Sequence, residues 1–328
     1  MKLSRLSEPD LIAALRKDFG GRAPGLALGI GDDAAVIEGL RGRGGERLFL
    51  TTDLLVEGTH FLRALHPPYY LGRKSLNVNI SDVAAMGGRA RYALLGLGLP
   101  RRTPRRWIEE FFAGLRAAAK EAGVRLVGGD LARSDKLLIS LALVGTGAQY
   151  VLRAGGRPGQ ALYVSGFPGR AQAGLGLLRK GVRFGRDPDT DDLIRAFLDP
   201  VPQVELGQAL ARSGAATAMI DTSDGLSVDV SNLCRESRVG AEIEAKAVPV
   251  APSLLRLRRS PLRDALYGGE DYGLLFAVPA AKVATVERLR RKFVLTRIGR
   301  LTRGRSVVLL EPSGRRIPFL PQGYRHFE

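Results

Sequence analysis

Cysteine occurs once in the 328 residues, as Cys234, so neither an intrachain disulfide nor a thiolate metal cluster can form. Histidine is almost as scarce. His60, His66 and His326 are too few and too scattered for a typical zinc site, so any metal must be held mainly by oxygen. No apolar run approaches a membrane span, residues 137–144 being among the longest, and the first ten residues carry no apolar signal core. A soluble, cytoplasmic protein with no membrane partner is expected. The chain also lacks a GxxxxGK[ST] phosphate loop and the HRD and DFG motifs of protein kinases, which excludes both of those nucleotide-binding classes.

The length suits two domains of ordinary size, and 45% hydrophobic residues suffice for a substantial core. The formal net charge is +17, carried mostly by arginine, and attracts phosphates of some kind. Nucleic acid is one such partner. However, the arginines are spread along the chain (101–106, 256–259, 290–291) without interleaved aromatics, and an arginine-rich genome produces the same excess with no functional meaning. No nucleic-acid partner is expected.

Strands and helices alternate irregularly in both halves, an α/β (α+β) pattern. Residues 47–52, 92–99, 124–127 and 137–146 read as strands. A helix is predicted over 70–86, where Leu76, Ile80 and Val83 share a face and Gly87-Gly88 stops it. Another follows Thr103 as N-cap and Pro104 at the first helical position, with Trp107, Phe111 and Leu115 on one face, and ends at Gly123. RAGGRPGQ (153–160) breaks the pattern and marks a boundary, giving domains 1–150 and 151–328. Beyond it, strands are expected at 161–165, 217–220, 272–278 and 293–300, and helices at 171–180, 191–198, 203–211, 226–236 and 281–291. The glycine-rich stretch 39–45 reads as a hairpin loop.

Aspartates recur where apolar runs meet glycines: Asp32-Asp33, Asp53, Asp82, Asp130, Asp221 and Asp224. An aspartate just after a strand projects into a cleft, and a neighbouring glycine lets a phosphate approach the backbone. Converging carboxylates repel unless cations lie between them, and hard oxygen ligands suit Mg²⁺. Taken singly, each has a plainer explanation. Gly128-Gly129-Asp130 reads as a turn, Asp82 as part of a solvated helix face with Ser75 and Asn79, and Asp221 and Ser223 as caps of the helix that follows.

Six blocks in order carry more information: GIGDDAAVI (29–37), TTDLLVEGTHF (51–61), KSLNVNISDVAAMGG (74–88), VGGD (127–130), IDTSDGLSVD (220–229) and YGGEDYGLLF (267–276), with GYRHF (323–327) near the end. Together they resemble the thiamine-monophosphate kinase family, of the aminoimidazole ribonucleotide synthetase-like superfamily, over nearly the whole chain. That resemblance implies a two-domain fold whose N-terminal mixed sheets join in a homodimer, with ATP bound in a cleft near the interface and a C-terminal α/β domain completing the site. It implies phosphorylation of thiamine monophosphate by ATP. Its Mg²⁺ ligands match Asp33, Thr51, Thr52, Asp53, Asp82, Asp130, Asp221 and Asp224. Its ATP contacts match Gly129, Asp130, Arg153 and Ser223, and its thiamine-phosphate contacts His60, Glu270 and Tyr324. Asp32 stands beside a ligand as a further candidate, and Asp271 is expected to orient backbone. No general base or covalent nucleophile is expected. Related enzymes that rely on a reactive N-terminal or C-terminal cysteine do not fit a chain whose one cysteine is Cys234.

Overall fold

The computed structural model describes residues 8–21, 23–38 and 45–322, and its strands form two sheets. After helix α1 (Glu8–Phe19) come β1 (Leu26–Leu28), β2 (Ala35–Ile37), β3 (Arg47–Val56), α2 (Pro68–Ala85), β4 (Arg89–Leu99), α3 (Arg105–Ala122), β5 (Arg125–Arg133) and β6 (Leu138–Gly147). These six strands lie in the order β1-β2-β3-β6-β4-β5. β4 and β5 run parallel through the α3 crossover, and the other neighbours are antiparallel.

The second sheet begins with β7 (Ala161–Ser165), followed by α4 (Arg170–Arg179), α5 (Pro188–Leu198), α6 (Val204–Ser213), β8 (Ala218–Thr222), α7 (Leu226–Ser237) and β9 (Gly240–Glu244). Then come α8 (Pro252–Leu257), α9 (Pro261–Tyr267), β10 (Gly273–Val278), α10 (Val283–Leu289), β11 (Leu295–Thr302), β12 (Val307–Leu310) and β13 (Arg316–Pro318). Their order is β13-β12-β9-β11-β7-β10-β8. β7, β8 and β10 are buried on both faces, which accounts for their unbroken apolar runs. Leu162, Val164, Ile220 and Leu275 enter one core, and Tyr163, Met219, Leu274 and Phe276 the other. Among the described residues no helix is long and apolar enough to cross a membrane.

Helix α3 begins one residue later than expected. Pro104 is extended (ψ 142°) and occupies the cap position, while the Thr103 hydroxyl is buried without a hydrogen-bond partner, so Thr103 is not the N-cap. Its apolar face places Phe111 and Leu115 against α2, and Trp107 stacks on Phe111 at 5.5 Å. The end is as expected: Gly123 takes the left-handed conformation (φ 69°) and its N–H donates to the carbonyl of Ala119.

Helix α2 is the hub. It packs on β3 and β6 of the first sheet, on β8 of the second, and on α3 and α6. Most of its residues are therefore buried, polar ones included. Those polar groups are hydrogen-bonded within the helix or to the chain packed against it. Ser75 Oγ donates to the Gly72 carbonyl, Asn77 Nδ2 to that of Pro200 and Asn79 Nδ2 to that of Ser75. The reading of Ser75, Asn79 and Asp82 as a solvated face fails because both sheets cover this helix.

The α2–α3 crossing depends on two glycines. A Cβ on Gly114 would lie 1.8 Å from the Tyr69 carbonyl oxygen, and one on Gly72 would lie 2.1 Å from that of Phe111. Gly114→Ala is expected to destabilise the protein by roughly 1–3 kcal/mol by forcing these helices apart. Gly21→Ala, where a Cβ meets nothing within 4 Å, serves as the control. Urea unfolding with equal midpoints for the two variants would contradict the close-packed crossing.

Candidate active site

Strand alternation divides the first site block between two faces. Thr51 and Asp53 face inward toward α2, whereas Thr52 lies on the exposed face with Leu50 and Leu54. From α2, Asp82 accepts a hydrogen bond from Thr51 Oγ1 at 2.7 Å, and Asn79 Oδ1 accepts from the Asp53 N–H at 2.9 Å. The preceding α2 residue, Ser81, donates its hydroxyl to Asp221 Oδ2 on β8 at 2.7 Å. One helix thus ties the acidic positions of both sheets together. Asp53 and Asp221 lie within their strands, not after them as expected, because β3 continues to Val56 and β8 to Thr222.

Asp33 reaches the same place from the loop before β2. Oxygens of Asp33, Asp82 and Asp221 all lie within 4.8 Å of one another. Asp33 and Asp221 are buried, as is the Asp33 oxygen Oδ2, which has no hydrogen-bond partner. Burial is the main force on all these groups. It raises Asp221 to about 8, with Asp33 adding to it, and Asp53 to about 6, with Asp224 and Asp33 adding to it. Asp82 is held well above the usual carboxylate range by burial and then by Asp53, Asp221 and Asp33. Arg153 supplies the local counter-charge. Its Nε and Nη2 donate to Asp33 Oδ1 at 3.1 and 2.5 Å, and its backbone N–H donates to the Asp32 carboxylate at 3.1 Å. Burial disfavours the Arg153 charge, yet Asp33 and Asp32 keep it firmly protonated. An oxygen-only donor set with an unpartnered buried oxygen and mutually repelling carboxylates fits Mg²⁺.

Asp224 belongs to the same electrostatic group, since its charge raises both Asp53 and the buried Asp229. The cap of α7 is Gly225 with no side-chain bond, so Asp221 and Ser223 do not cap that helix. Gly128-Gly129-Asp130 is not a turn either: all three lie within β5. Asp130 is exposed there and pairs in register with Gly96, which pairs with Ser140 and so with Leu54. It therefore shares the outer face of the sheet with Thr52, three strand spacings (about 14 Å) from β3. Within the chain, Thr52 and Asp130 are not brought to the cluster.

His60, Ser223 and Glu270 lie on loops. His60 follows β3, and its Nδ1 accepts from the Val56 N–H at 3.0 Å, which leaves the Nε2 position to carry the proton of the neutral ring. Ser223 offers its carbonyl to the Glu270 N–H at 2.7 Å. Glu270 and Tyr272 both hold left-handed conformations (φ 66° and 51°) on either side of Asp271. The Asp271 carboxylate accepts from the Gly169 and Ala171 N–H groups at the start of α4, so it orients backbone. Tyr324 and most of the 39–45 stretch lie outside the described residues.

Four residues at the site were not among the sequence candidates. Lys74 pairs with Glu270, Ser81 with Asp221, and Asp229 offers Oδ1 to the Asp224 N–H at 3.4 Å. The phenol of Tyr272 is raised by burial first and then by Glu270, Asp53, Asp221 and Asp82, so it borders the cluster. All four lie inside the ordered blocks. For Lys74 and Ser81 the available signal is a polar residue on the helix read as having a solvated face; Asp229 and Tyr272 have only their place in the blocks.

Fold and site together define an AIR synthase related protein: the N-terminal domain of that family matches residues 31–147, and its C-terminal domain matches residues 157–310. Thiamine-monophosphate kinase of Aquifex aeolicus is 34% identical over the full length of both chains. That of Escherichia coli K12 is 38% identical over 77% of this chain and 76% of its own. The chain belongs to the thiamine-monophosphate kinase family. The solved structure of AaThiL complexed with AMPPCP and TMP superposes with a TM-score of 0.86 at 33% identity, covering 99% of each chain. Hydrogenase maturation protein HypE in complex with ATP, at 21% identity and a TM-score of 0.69 over 87% of each chain, shares the fold alone.

The raised carboxylates have a sign that can be tested. Unfolded, Asp221 releases its proton near its ordinary value of 3.8; folded, it does so near about 8. Between those values the folded state holds the extra proton, so the contribution of Asp221 to metal-free stability falls as pH rises through that window. In the presence of chelator, Asp221→Asn is expected to raise the melting temperature at pH 8 by on the order of 2–5 °C, with the gain shrinking toward pH 5. A gain independent of pH, or a loss at pH 8, would refute this electrostatic account.

Proposed function

We propose that this chain transfers the γ-phosphoryl group of ATP to thiamine monophosphate, forming thiamine diphosphate and ADP. The observation that carries the proposal is the convergence of Asp33, Asp82 and Asp221, from a loop, a buried helix and a strand of the other sheet, in a member of this kinase family. Asp33, Thr51, Asp53, Asp82, Asp221 and Asp224 would hold Mg²⁺, and Thr52 and Asp130, on the outer face, would serve a cation or phosphate held between that face and a second copy of the chain. Bound there, Mg²⁺ supplies charge neutralisation for the triphosphate and the acceptor phosphate. Gly129, Asp130, Arg153 and Ser223 are assigned to ATP, and Arg153 can turn its guanidinium from Asp33 to a phosphate once a cation takes over the carboxylate. His60, Glu270 and Tyr324 are assigned to the acceptor.

Transfer is direct. The acceptor is a phosphate monoester whose second pKa is about 6, so near neutral pH it is already largely an oxyanion and needs no base. The work left to the side chains is alignment and electrostatic support.

Residues 1–150 and 151–328 are taken as the two domains, the first carrying the dimer interface. Support for a homodimer comes from the outer face of the first sheet, where Leu50, Leu54, Tyr92 and Leu94 are exposed together. A partner lying there would also enclose Thr52 and Asp130. A cytoplasmic site of action suits an enzyme that consumes ATP.

Two measurements test these assignments. In a product assay with ATP and Mg²⁺, thiamine monophosphate should be phosphorylated and free thiamine should not, and Asp82→Asn should lower kcat/KM at least ~100-fold, about 3 kcal/mol of transition-state stabilisation. Turnover of thiamine alone, or near-normal activity of Asp82→Asn, would overturn the proposal. By analytical ultracentrifugation the protein should sediment as a dimer, and Leu54→Asp combined with Leu94→Asp as a monomer. An unchanged dimer would place the interface elsewhere.

A further inference from the structure

Lys74 is a charged side chain in the interior whose charge the metal cluster does not use. It projects from α2 and is only 2% exposed, and its Nζ lies 3.1 Å from Glu270 Oε1. The same ammonium donates to the Phe197 carbonyl at 3.0 Å and lies 4.0 Å from the centroid of the Phe197 ring. The buried His66 ring packs against Phe197 at 4.7 Å and is kept neutral by burial and by the nearby Lys74 charge. An ammonium taken out of water needs this kind of compensation, and one carboxylate oxygen, one carbonyl and one aromatic face provide it.

Glu270 is the opposite case. Its side chain is 31% exposed, and the ion pair with Lys74 engages Oε1. Its backbone is pinned by the N–H bond to the Ser223 carbonyl and held left-handed. The carboxylate is thus fixed from two sides, by α2 through Lys74 and by the loop after β8 through the main chain. Lys74 stands eight residues before Asp82 on the same helix, a rise of about 12 Å. One rigid element therefore carries both the metal-facing carboxylate and the anchor of the acceptor-facing one.

We propose that Lys74 is a positioning residue for the acceptor: through its ion pair it holds Glu270 as a fixed anion facing the cationic thiazolium portion of thiamine monophosphate, at a set distance from the phosphate end. This rests on the assignment of Glu270 to the acceptor made above. A purely structural Lys74, joining α2 to α5 through the Phe197 carbonyl, would affect both substrates alike and act independently of Glu270.

A double-mutant cycle on the full-length enzyme separates these cases. Lys74→Met keeps most of the volume and removes the charge. It should raise KM for thiamine monophosphate roughly tenfold while leaving KM for ATP and kcat within about twofold. Glu270→Gln should give a similar rise, and Lys74→Met added to Glu270→Gln should bring little more. Equal increases for both substrates, or the same factor from Lys74→Met in the Glu270→Gln background, overturn the positioning role. An acceptor KM untouched by Glu270→Gln alone overturns the assignment of Glu270 itself, and the role of Lys74 with it. If Lys74→Met does not fold, Lys74→Arg, which keeps the charge but shifts the donors, carries the same cycle with the same expected non-additivity.

Discussion

Asp33, Asp53, Asp82 and Asp221 arise from a loop, a strand, a buried helix and a strand of the second sheet, and their charges raise one another's proton affinity. Nothing in a packed core favours such an arrangement, since burial already opposes each charge separately. It persists because the surrounding structure over-determines it. Thr51 and Ser81 donate to Asp82 and Asp221, Arg153 grips Asp33, and the strand ladders fix the rest. A cation held among these carboxylates would relieve their repulsion, which links its binding to the stability of the fold.

Helix α2 is where this constraint meets the rest of the fold. Its Ser81–Asp82 pair touches both sheets at once, so any shift of one sheet against the other would break a bond to a carboxylate. The helix is held on its far side by the glycine crossing with α3, where no side chain fits between backbones. Packing at Gly72 and Gly114 and charge at Asp82 are thus parts of one mechanical path. The electrostatic site needs a fixed helix, and the close crossing supplies it.

Legibility in the sequence followed the physics of each segment. Buried strands such as 161–165 stood out because unbroken apolar runs between breakers admit few other readings. Short strands, β1, β12 and β13 among them, escape recognition because three or four residues carry too little pattern. Helix α2 was recognisable from Leu76, Ile80 and Val83, but its polar residues suggested solvent, and only the placement of a second sheet against it reverses that inference. The carboxylates were identifiable as a set by their glycine neighbours. Their division between an inner group and the outward Thr52 and Asp130 depends on strand register, which no local pattern reveals. The left-handed Glu270 and Tyr272 gave no local sign, since neither is a glycine, and the ion pair of Lys74 spans the two halves of the chain.

The charge balance of the chain takes on a different meaning at the site. The chain carries a formal excess of 17 positive charges around a centre that is acidic, and at that centre Arg153 is paired with Asp33. An arginine cannot lose its proton to relieve the competition, so it must either stay on the carboxylate or find another anion. When a hard cation takes the Asp33 oxygen, the freed guanidinium is left partly buried, where only a strong anion compensates it. Under the proposed function a phosphate of ATP is that anion, and a cation entering with the polyphosphate supplies both partners at once. On that reading the pairing of Arg153 with Asp33 favours joint arrival of metal and nucleotide over arrival of either alone.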